Sequence, residues 1–259
     1  MGGKQDPQRQ CTVEETRHRT ARKGERKRAV KLVESSFTPY PIREMYLNLL
    51  LVSMMATASS LRYILGSGSS SRKLILKNMN ISFEVMKPSV DEKGLGDRSS
   101  ASFASELVLL LGHAKADNIL AMLTEEQKKE FDVVITADQV VTSNGKILEK
   151  PESEEEARQF IRSYGSHSCS TVGSLVLTKV STGERVGGVD VATIYLKPIP
   201  EEVIDGLIKE GEIFYCAGGL MIEHPAIQPY IDRLEGSMNS IMGLSSDLFQ
   251  SLLPQLLKK

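Results

Sequence analysis

The chain has few cysteines, no long apolar run and almost no net charge, and each shortage removes a class of protein. Cys11, Cys169 and Cys216 are the three cysteines in 259 residues. They are odd in number, far apart and without a CxxC pair, so neither a disulfide framework nor a zinc knuckle is indicated, and a reducing compartment is the default. The longest apolar stretch, residues 46–56, is interrupted by Asn48 and Ser53 and falls well short of the roughly 20 residues a membrane-spanning helix needs. No membrane partner is expected, and a soluble, cytoplasmic protein is the reading. With 32 Lys and Arg against 33 Asp and Glu, no overall field favours nucleic acid or an anionic membrane, so a small-molecule substrate fits better. A Gly-Lys-Ser/Thr phosphate loop is lacking, and so is a GxGxxG dinucleotide fingerprint, whose absence argues against a methyltransferase or dehydrogenase.

What is present is ordinary globular material: 41% apolar and 25% charged residues, enough for a substantial core in one domain or two closely joined lobes. The composition shifts near residue 60. Residues 1–45 carry eleven Lys or Arg against six Asp or Glu with little apolar periodicity, so residues 1–60 are expected to form a basic, disordered extension ahead of a folded unit over 61–259. On this reading Met54 or Met55 is the natural start of the folded unit. The alternative is a targeting peptide, because the basic stretch precedes a short apolar run and Ala56-Thr57-Ala58; Glu14, Glu15 and Glu25 argue against a mitochondrial or plastid type.

From Leu61 onward, short β-rich runs alternate with helical ones, the signature of an α/β domain. Tyr63-Ile64-Leu65 reads as a strand leading through a Gly/Ser loop to a helix at about 70–77. Phe83 to Met86 reads as a second strand. Val133-Val134-Ile135 is an unbroken β-branched run of the kind buried on both faces. Phe103, Leu107, Leu110, Leu111 and Ala114 follow helical spacing. Ser153 with Glu156 predicts a capping box opening a helix through Tyr164. Leu175 to Thr178 and Val189 to Leu196 read as strands joined by a turn at Thr182-Gly183. Glu201 to Glu210 is a helix capped by Gly211, and Leu248, Phe249, Leu252, Leu253 and Leu256 make a last amphipathic helix.

Five features bear chemistry. Gly66-Ser67-Gly68-Ser69-Ser70-Ser71-Arg72 lies between a strand and the first turn of a helix, where free backbone N–H groups and the positive helix end attract an anion. Arg72 can hold a phosphate bidentately, although such a loop also serves as a plain turn with an N-cap. Asp138 ends the apolar strand Val133 to Ala137, at the edge where open α/β sheets bind ligands. There it can bind a metal, activate water, or merely cap a turn. Lys150 before Pro151 sits on a rigid turn that can return an ammonium to the same edge. Lys115 falls on or beside the apolar stripe of its helix, where it either reaches a phosphate or snorkels to water. Asp91 and Glu92 can complete a hard-cation site with Asp138, or form a solvated loop.

In order and spacing these pieces resemble the Maf family of nucleotide pyrophosphatases: ILGSGSSSR, ISFEVMKPSVDE, GHAKA, VITADQVV, ILEKP, CAGGLMIEH and GLSSDL, spanning about residues 61–257. The resemblance implies a mixed α/β fold of the Maf/ITPase-like kind, its sheet flanked by helices, with a cleft between two lobes. It also implies metal-assisted hydrolysis of a nucleoside triphosphate to the monophosphate and pyrophosphate. Carried onto matching positions, Asp138 is the general base, and Ser67, Ser69, Arg72, Lys115 and Lys150 hold the triphosphate. Glu92 and Asp138 bind Mg²⁺ or Mn²⁺. A homodimer is left open. The family's older association with cell division supplies the alternative of a non-catalytic nucleotide-binding regulator.

Three departures from the commonest family pattern fall near the expected base pocket. Ser70-Ser71-Arg72 replaces Pro-Arg-Arg, Gln139 follows Asp138 where many members acting on thymidine or uridine triphosphate have Thr, and Glu223 stands where those have Gln. Gln139 with Glu223 is similar to the branch associated with 7-methyl-GTP. A guanine edge offers paired N–H donors that the acceptor-only carboxylate of Glu223 can receive, and methylation adds positive charge that it also favours. Ser71, Gln139 and Glu223 are therefore the expected specificity residues.

Overall fold

The computed structural model describes Ala58 and residues 60–258. The basic extension and targeting segment expected over residues 1–60 lie almost wholly outside these described residues. The expected α/β class is what forms: a seven-stranded mixed sheet in the order β2-β1-β3-β5-β6-β7, with β4 paired to β3. The strands are β1 (Tyr63–Leu65), β2 (Phe83–Val85), β3 (Val133–Ser143), β4 (Lys146–Leu148), β5 (Cys169–Lys179), β6 (Arg185–Leu196) and β7 (Ile231–Glu235). β1 pairs in parallel with β2 and β3, and the other pairings are antiparallel.

The helices are α1 (Ser70–Asn78), α2 (Ala104–Met122), α3 (Glu125–Glu130), α4 (Glu154–Tyr164), α5 (Glu201–Glu210), α6 (Met238–Ile241) and α7 (Ser246–Lys258). Strand alternation decides which helix covers which face. Tyr63, Leu65, Val133, Ile135 and Ala137 pack with Ile75 and Leu76 of α1 and with Phe249, Leu252, Leu253 and Leu256 of α7. Ile64 and Val134 face the other way, onto Ile119 and Leu123 of α2 and its C-terminal turn. A separate cluster joins Val141, Cys169 and Ile194 to Ile161 of α4 and Ile204 and Leu207 of α5. On the face that carries Ala137, β3 passes from one core to another between Ala137 and Val141, and Asp138 lies within that stretch of the strand. No described helix is long and apolar enough to cross a membrane.

Several expectations require correction. Asp138 does not end its strand: β3 continues to Ser143, and Asp138 pairs with Ser174 of β5. Only the parallel partner β1 stops, at Leu65 opposite Ile135, so Asp138 still lies just beyond the carboxyl edge of the parallel set. β5 and β6 are likewise longer than the apolar runs predict, because main-chain pairing carries them through Gly173, Gly187 and Gly188. In the α2 stripe, Phe103 is the N-cap residue and is exposed, as is Leu110, while Leu107, Leu111 and Lys115 are buried. Ser153 caps α4 through the Glu156 N–H, but the Glu156 carboxylate accepts from Glu152 rather than Ser153. The reciprocal box occurs instead at Thr124 and Gln127, opening α3.

Candidate active site

A cleft of about 820 Å³ opens at the carboxyl edge of the parallel strands. Ser67, Ser69, Ser71, Arg72, Glu92, Lys115, Asp138, Gln139, Lys150 and Glu223 all line it. Asp91, also considered for a cation, is not among the lining residues.

The loop after β1 turns close to the sheet because Gly66 donates its N–H to the Ile135 carbonyl at 2.8 Å. A side chain at Gly66 would meet Thr136 Cγ2 at 2.7 Å. Ser69 is the N-cap of α1, its hydroxyl accepting from the Arg72 N–H. Ser67 Oγ accepts from the Ser69 N–H and from Arg72 Nη1, both at 3.2 Å. Each hydroxyl therefore accepts internally and keeps its own hydrogen to donate. Arg72 is fixed further by Nε to the Gly243 carbonyl at 2.9 Å and Nη1 to the Ala137 carbonyl at 3.0 Å. Its Nη2 hydrogens have no partner among the described residues. Desolvation lowers the Arg72 pKa, with Asp138 and Glu92 opposing the shift, and a guanidinium stays charged through such a change. Gly243 is a contributor the sequence reading missed. Its φ of 105° suits glycine, and a Cβ there would lie 2.6 Å from Gln139 Oε1.

Asp138 and Lys115 are both buried and in direct contact. Close approach of α2 to the sheet makes this contact. Gly112 presents no side chain to Ser174, whose Oγ would be 2.9 Å from an added Cβ. Ser174 Oγ donates to the Val108 carbonyl at 2.6 Å and accepts from the Asp138 N–H at 3.1 Å, and Thr136 Oγ1 donates to the Gly112 carbonyl at 2.8 Å. Lys115, one turn beyond Gly112, reaches inward rather than snorkelling out, and Glu92 Oε1 joins it at 3.0 Å. Burial raises the Asp138 pKa above the usual carboxylate range. Lys115, by charge and hydrogen bond, and Arg72 pull it back, and Glu92 adds to the rise.

Glu92 is carried on a loop that Arg98 holds in shape. Arg98 donates to the Glu92 carbonyl at 2.7 Å, to the Leu95 carbonyl, and to the Glu149 carboxylate at 2.9 Å. Lys93 of the same loop pairs with Glu152. Neither clamp was foreseen, since a charged loop reads as solvated. Lys150 arrives by the β3–β4 hairpin, whose turn residues Asn144 and Gly145 have φ of 46° and 73°, the primed turn that an Asn-Gly pair favours. Gln139 Nε2 donates to the Ile241 carbonyl at 2.7 Å, leaving its carbonyl oxygen unused. Glu223 is exposed, and the Cys216 thiol is raised by burial and then by Glu223 and Glu212.

Donors at a helix start, cations and a buried carboxylate–ammonium contact define a site for a polyanion with a group able to take a proton. The sequence comparisons give the same class a family. The Maf-like protein profile matches residues 62–256, and the chain belongs to the Maf family. Similar proteins include a 7-methyl-GTP pyrophosphatase of Dictyostelium discoideum, 39% identical over 74% of this chain and 95% of its own length. A dTTP/UTP pyrophosphatase of Desulforamulus reducens is 32% identical over 70% of this chain and 89% of its own. One of Alkaliphilus metalliredigens is 27% identical over 71% and 90%.

Proposed function

We propose that this chain hydrolyses a nucleoside triphosphate to the monophosphate and pyrophosphate, removing modified or non-canonical nucleotides, with 7-methyl-GTP favoured over dTTP or UTP. The observation that carries the reading is the buried Asp138–Lys115 contact beside the loop at Gly66 to Arg72. The catalytic unit is residues 61–259.

Asp138 is the general base. A carboxylate whose burial raises its proton affinity takes a proton from water more readily, and the charge and hydrogen bond of Lys115 favour its ionised form. The activated water attacks the α-phosphorus, the bond to the β-phosphate bridging oxygen breaks, and pyrophosphate leaves. Arg72, Lys115 and Lys150 neutralise its charge, while Ser67 and Ser69 offer hydroxyl hydrogens.

The donor set suits a hard cation. Glu92 and Asp138 already converge on one ammonium, and Mg²⁺ or Mn²⁺ is ordinarily held by one or two carboxylates together with substrate phosphates. Bound there, the metal supplies charge neutralisation and orientation of the phosphates.

Glu223 and Gln139 read the base. Glu223 accepts from a guanine edge and is attracted to the positive charge of a methylated ring, while Gln139, pinned by Ile241, presents its carbonyl oxygen. The free thiols Cys169 and Cys216 suit a reducing cytoplasm.

Pyrophosphate release across canonical and methylated triphosphates with Mg²⁺ or Mn²⁺ tests the reading. Asp138→Asn should abolish turnover while nucleotide binding persists, and unchanged turnover refutes the mechanism. Glu223→Gln should lower the 7-methyl-GTP to UTP rate ratio, and a constant ratio rejects the base assignment. Tight nucleotide binding with no hydrolysis by the wild type would favour a non-catalytic regulator instead.

A further inference from the structure

Two cations that line the cleft, Lys87 and Lys93, have no role in this scheme, and of these Lys93 is paired with Glu152. Lys87 follows β2, and β2 is the outer member of the parallel set β2-β1-β3. The Met86 N–H still bonds the Leu65 carbonyl at 3.1 Å, so the chain leaves the sheet beside the start of the Gly66–Arg72 loop. The Lys87 stem then lies across that loop: a methyl group at Gly68 would meet its Cε at 3.3 Å, Cδ at 3.7 Å and Cγ at 3.8 Å. Gly68 therefore leaves room for a lysine as well as exposing the loop amides.

Three neighbouring cations are already engaged in ion pairs. Lys93 pairs with Glu152, Arg98 with Glu149, and Lys115 with both Asp138 and Glu92. Lys87 makes no ion pair or hydrogen bond with a described residue, although it lines the cleft. Charge balance gives it something to do. Arg72, Lys115 and Lys150 carry three positive charges, against two negative ones on Asp138 and Glu92. Among these five groups that leaves one net positive charge, to which a bound divalent metal would add two, against a pyrophosphate leaving group of about three or more negative charges at neutral pH, and Lys87 contributes one more.

Position selects which phosphate. Asp138 is on β3, the phosphate loop follows β1, and Lys87 follows β2. Successive strands are about 4.8 Å apart, so β2 and β3 lie about 10 Å apart across the sheet edge, with the loop that follows β1 between them. A triphosphate whose α-phosphorus faces Asp138 and whose middle lies on the loop directs its terminal phosphate to Lys87. We infer that Lys87 is a further phosphate-binding residue, contacting the terminal phosphate and the departing pyrophosphate. The inference rests on the pyrophosphatase reading for its orientation.

The full chain carrying Lys87→Gln or Lys87→Arg tests it. Because the side chain is exposed, both variants should melt as the wild type does. Calorimetry with pyrophosphate and Mg²⁺, which requires no turnover, should show binding weakened about tenfold in Lys87→Gln, the scale of one lost charge-assisted contact, with Lys87→Arg recovering most of it. Binding of the nucleoside monophosphate should change less than twofold. In the triphosphate assay, KM should rise about as much as the pyrophosphate Kd, and product inhibition should weaken in parallel. Unchanged pyrophosphate affinity in Lys87→Gln, or equal losses for monophosphate and pyrophosphate, overturns the assignment. A wild type that binds pyrophosphate but hydrolyses no triphosphate refutes the pyrophosphatase reading instead, and the calorimetric comparison still decides Lys87.

Discussion

Replacing Lys115 by Met separates the electrostatic part of the site from its packing. The thioether chain fills much of the lysine stem's volume, but the Asp138 carboxylate, with a side chain only 9% exposed, loses its direct counter-charge. Removing one partner of a buried pair costs about 3–5 kcal/mol when the other stays charged. Asp138 can escape that penalty by taking up a proton, so the loss must depend on pH. Burial already raises its folded pKa, and Lys115 is the largest opposing influence, so the variant raises it further. A carboxyl group with a raised folded pKa binds more protons folded than unfolded, and stability then falls as pH rises from the unfolded value, near 3.9, through the folded one. The slope is at most about 1.4 kcal/mol per pH unit. Urea unfolding of wild type and Lys115→Met should therefore differ little at pH 4 and by several kcal/mol at pH 7. Adding Asp138→Asn should recover most of the deficit and flatten the pH dependence. An equal deficit at both pH values would mean that the contact is not electrostatic, and the reasoning would fail.

The clamp on the Glu92 loop predicts that Arg98→Met raises the Mg²⁺ concentration needed for half-maximal pyrophosphate release about tenfold, as loss of support for a metal-binding carboxylate ordinarily does. An unchanged metal titration would detach Arg98 from the site. Cys216, its thiol pushed up from 9.0 to about 11 by burial, then by Glu223 and Glu212, should be alkylated at pH 8 about a hundredfold more slowly than an unshifted exposed thiol. Glu223→Gln should speed that alkylation, as followed by peptide mass spectrometry, and no change would place the carboxylate too far away to act on either thiol or base.

How much of this was legible in the sequence followed from the range of the interaction involved. The strand and helix around Ser67 and Arg72 and the helix at Glu201 to Glu210 rest on local periodicity and caps, and they formed where expected. The full length of β3 was hidden because Gln139, Thr142 and Ser143 interrupt its apolar run, while its continuation depends on main-chain bonds to β5. The cleft residues were legible as separate candidates, but what fixes them was not. The carbonyls of Gly243 and Ala137 that hold Arg72 lie 171 and 65 residues away, and no spacing rule reports such contacts. Lys87 was overlooked for the opposite reason: a single lysine after a short edge strand carries no pattern.

The pleat of β3 has a consequence for how this enzyme can change. Asp138 shares a face with Thr136 and turns toward α2, whereas Gln139 shares a face with Ala137 and turns toward Ile241 and Gly243. On the roles proposed above, adjacent positions on one strand hand hydrolysis to one side of the sheet and base reading to the other. A substitution at 139 or 223 can redirect the substrate while the water-activating pair stays intact, so new specificities can be explored one residue at a time. A single inserted residue before Asp138 would exchange the two faces and lose both activities at once.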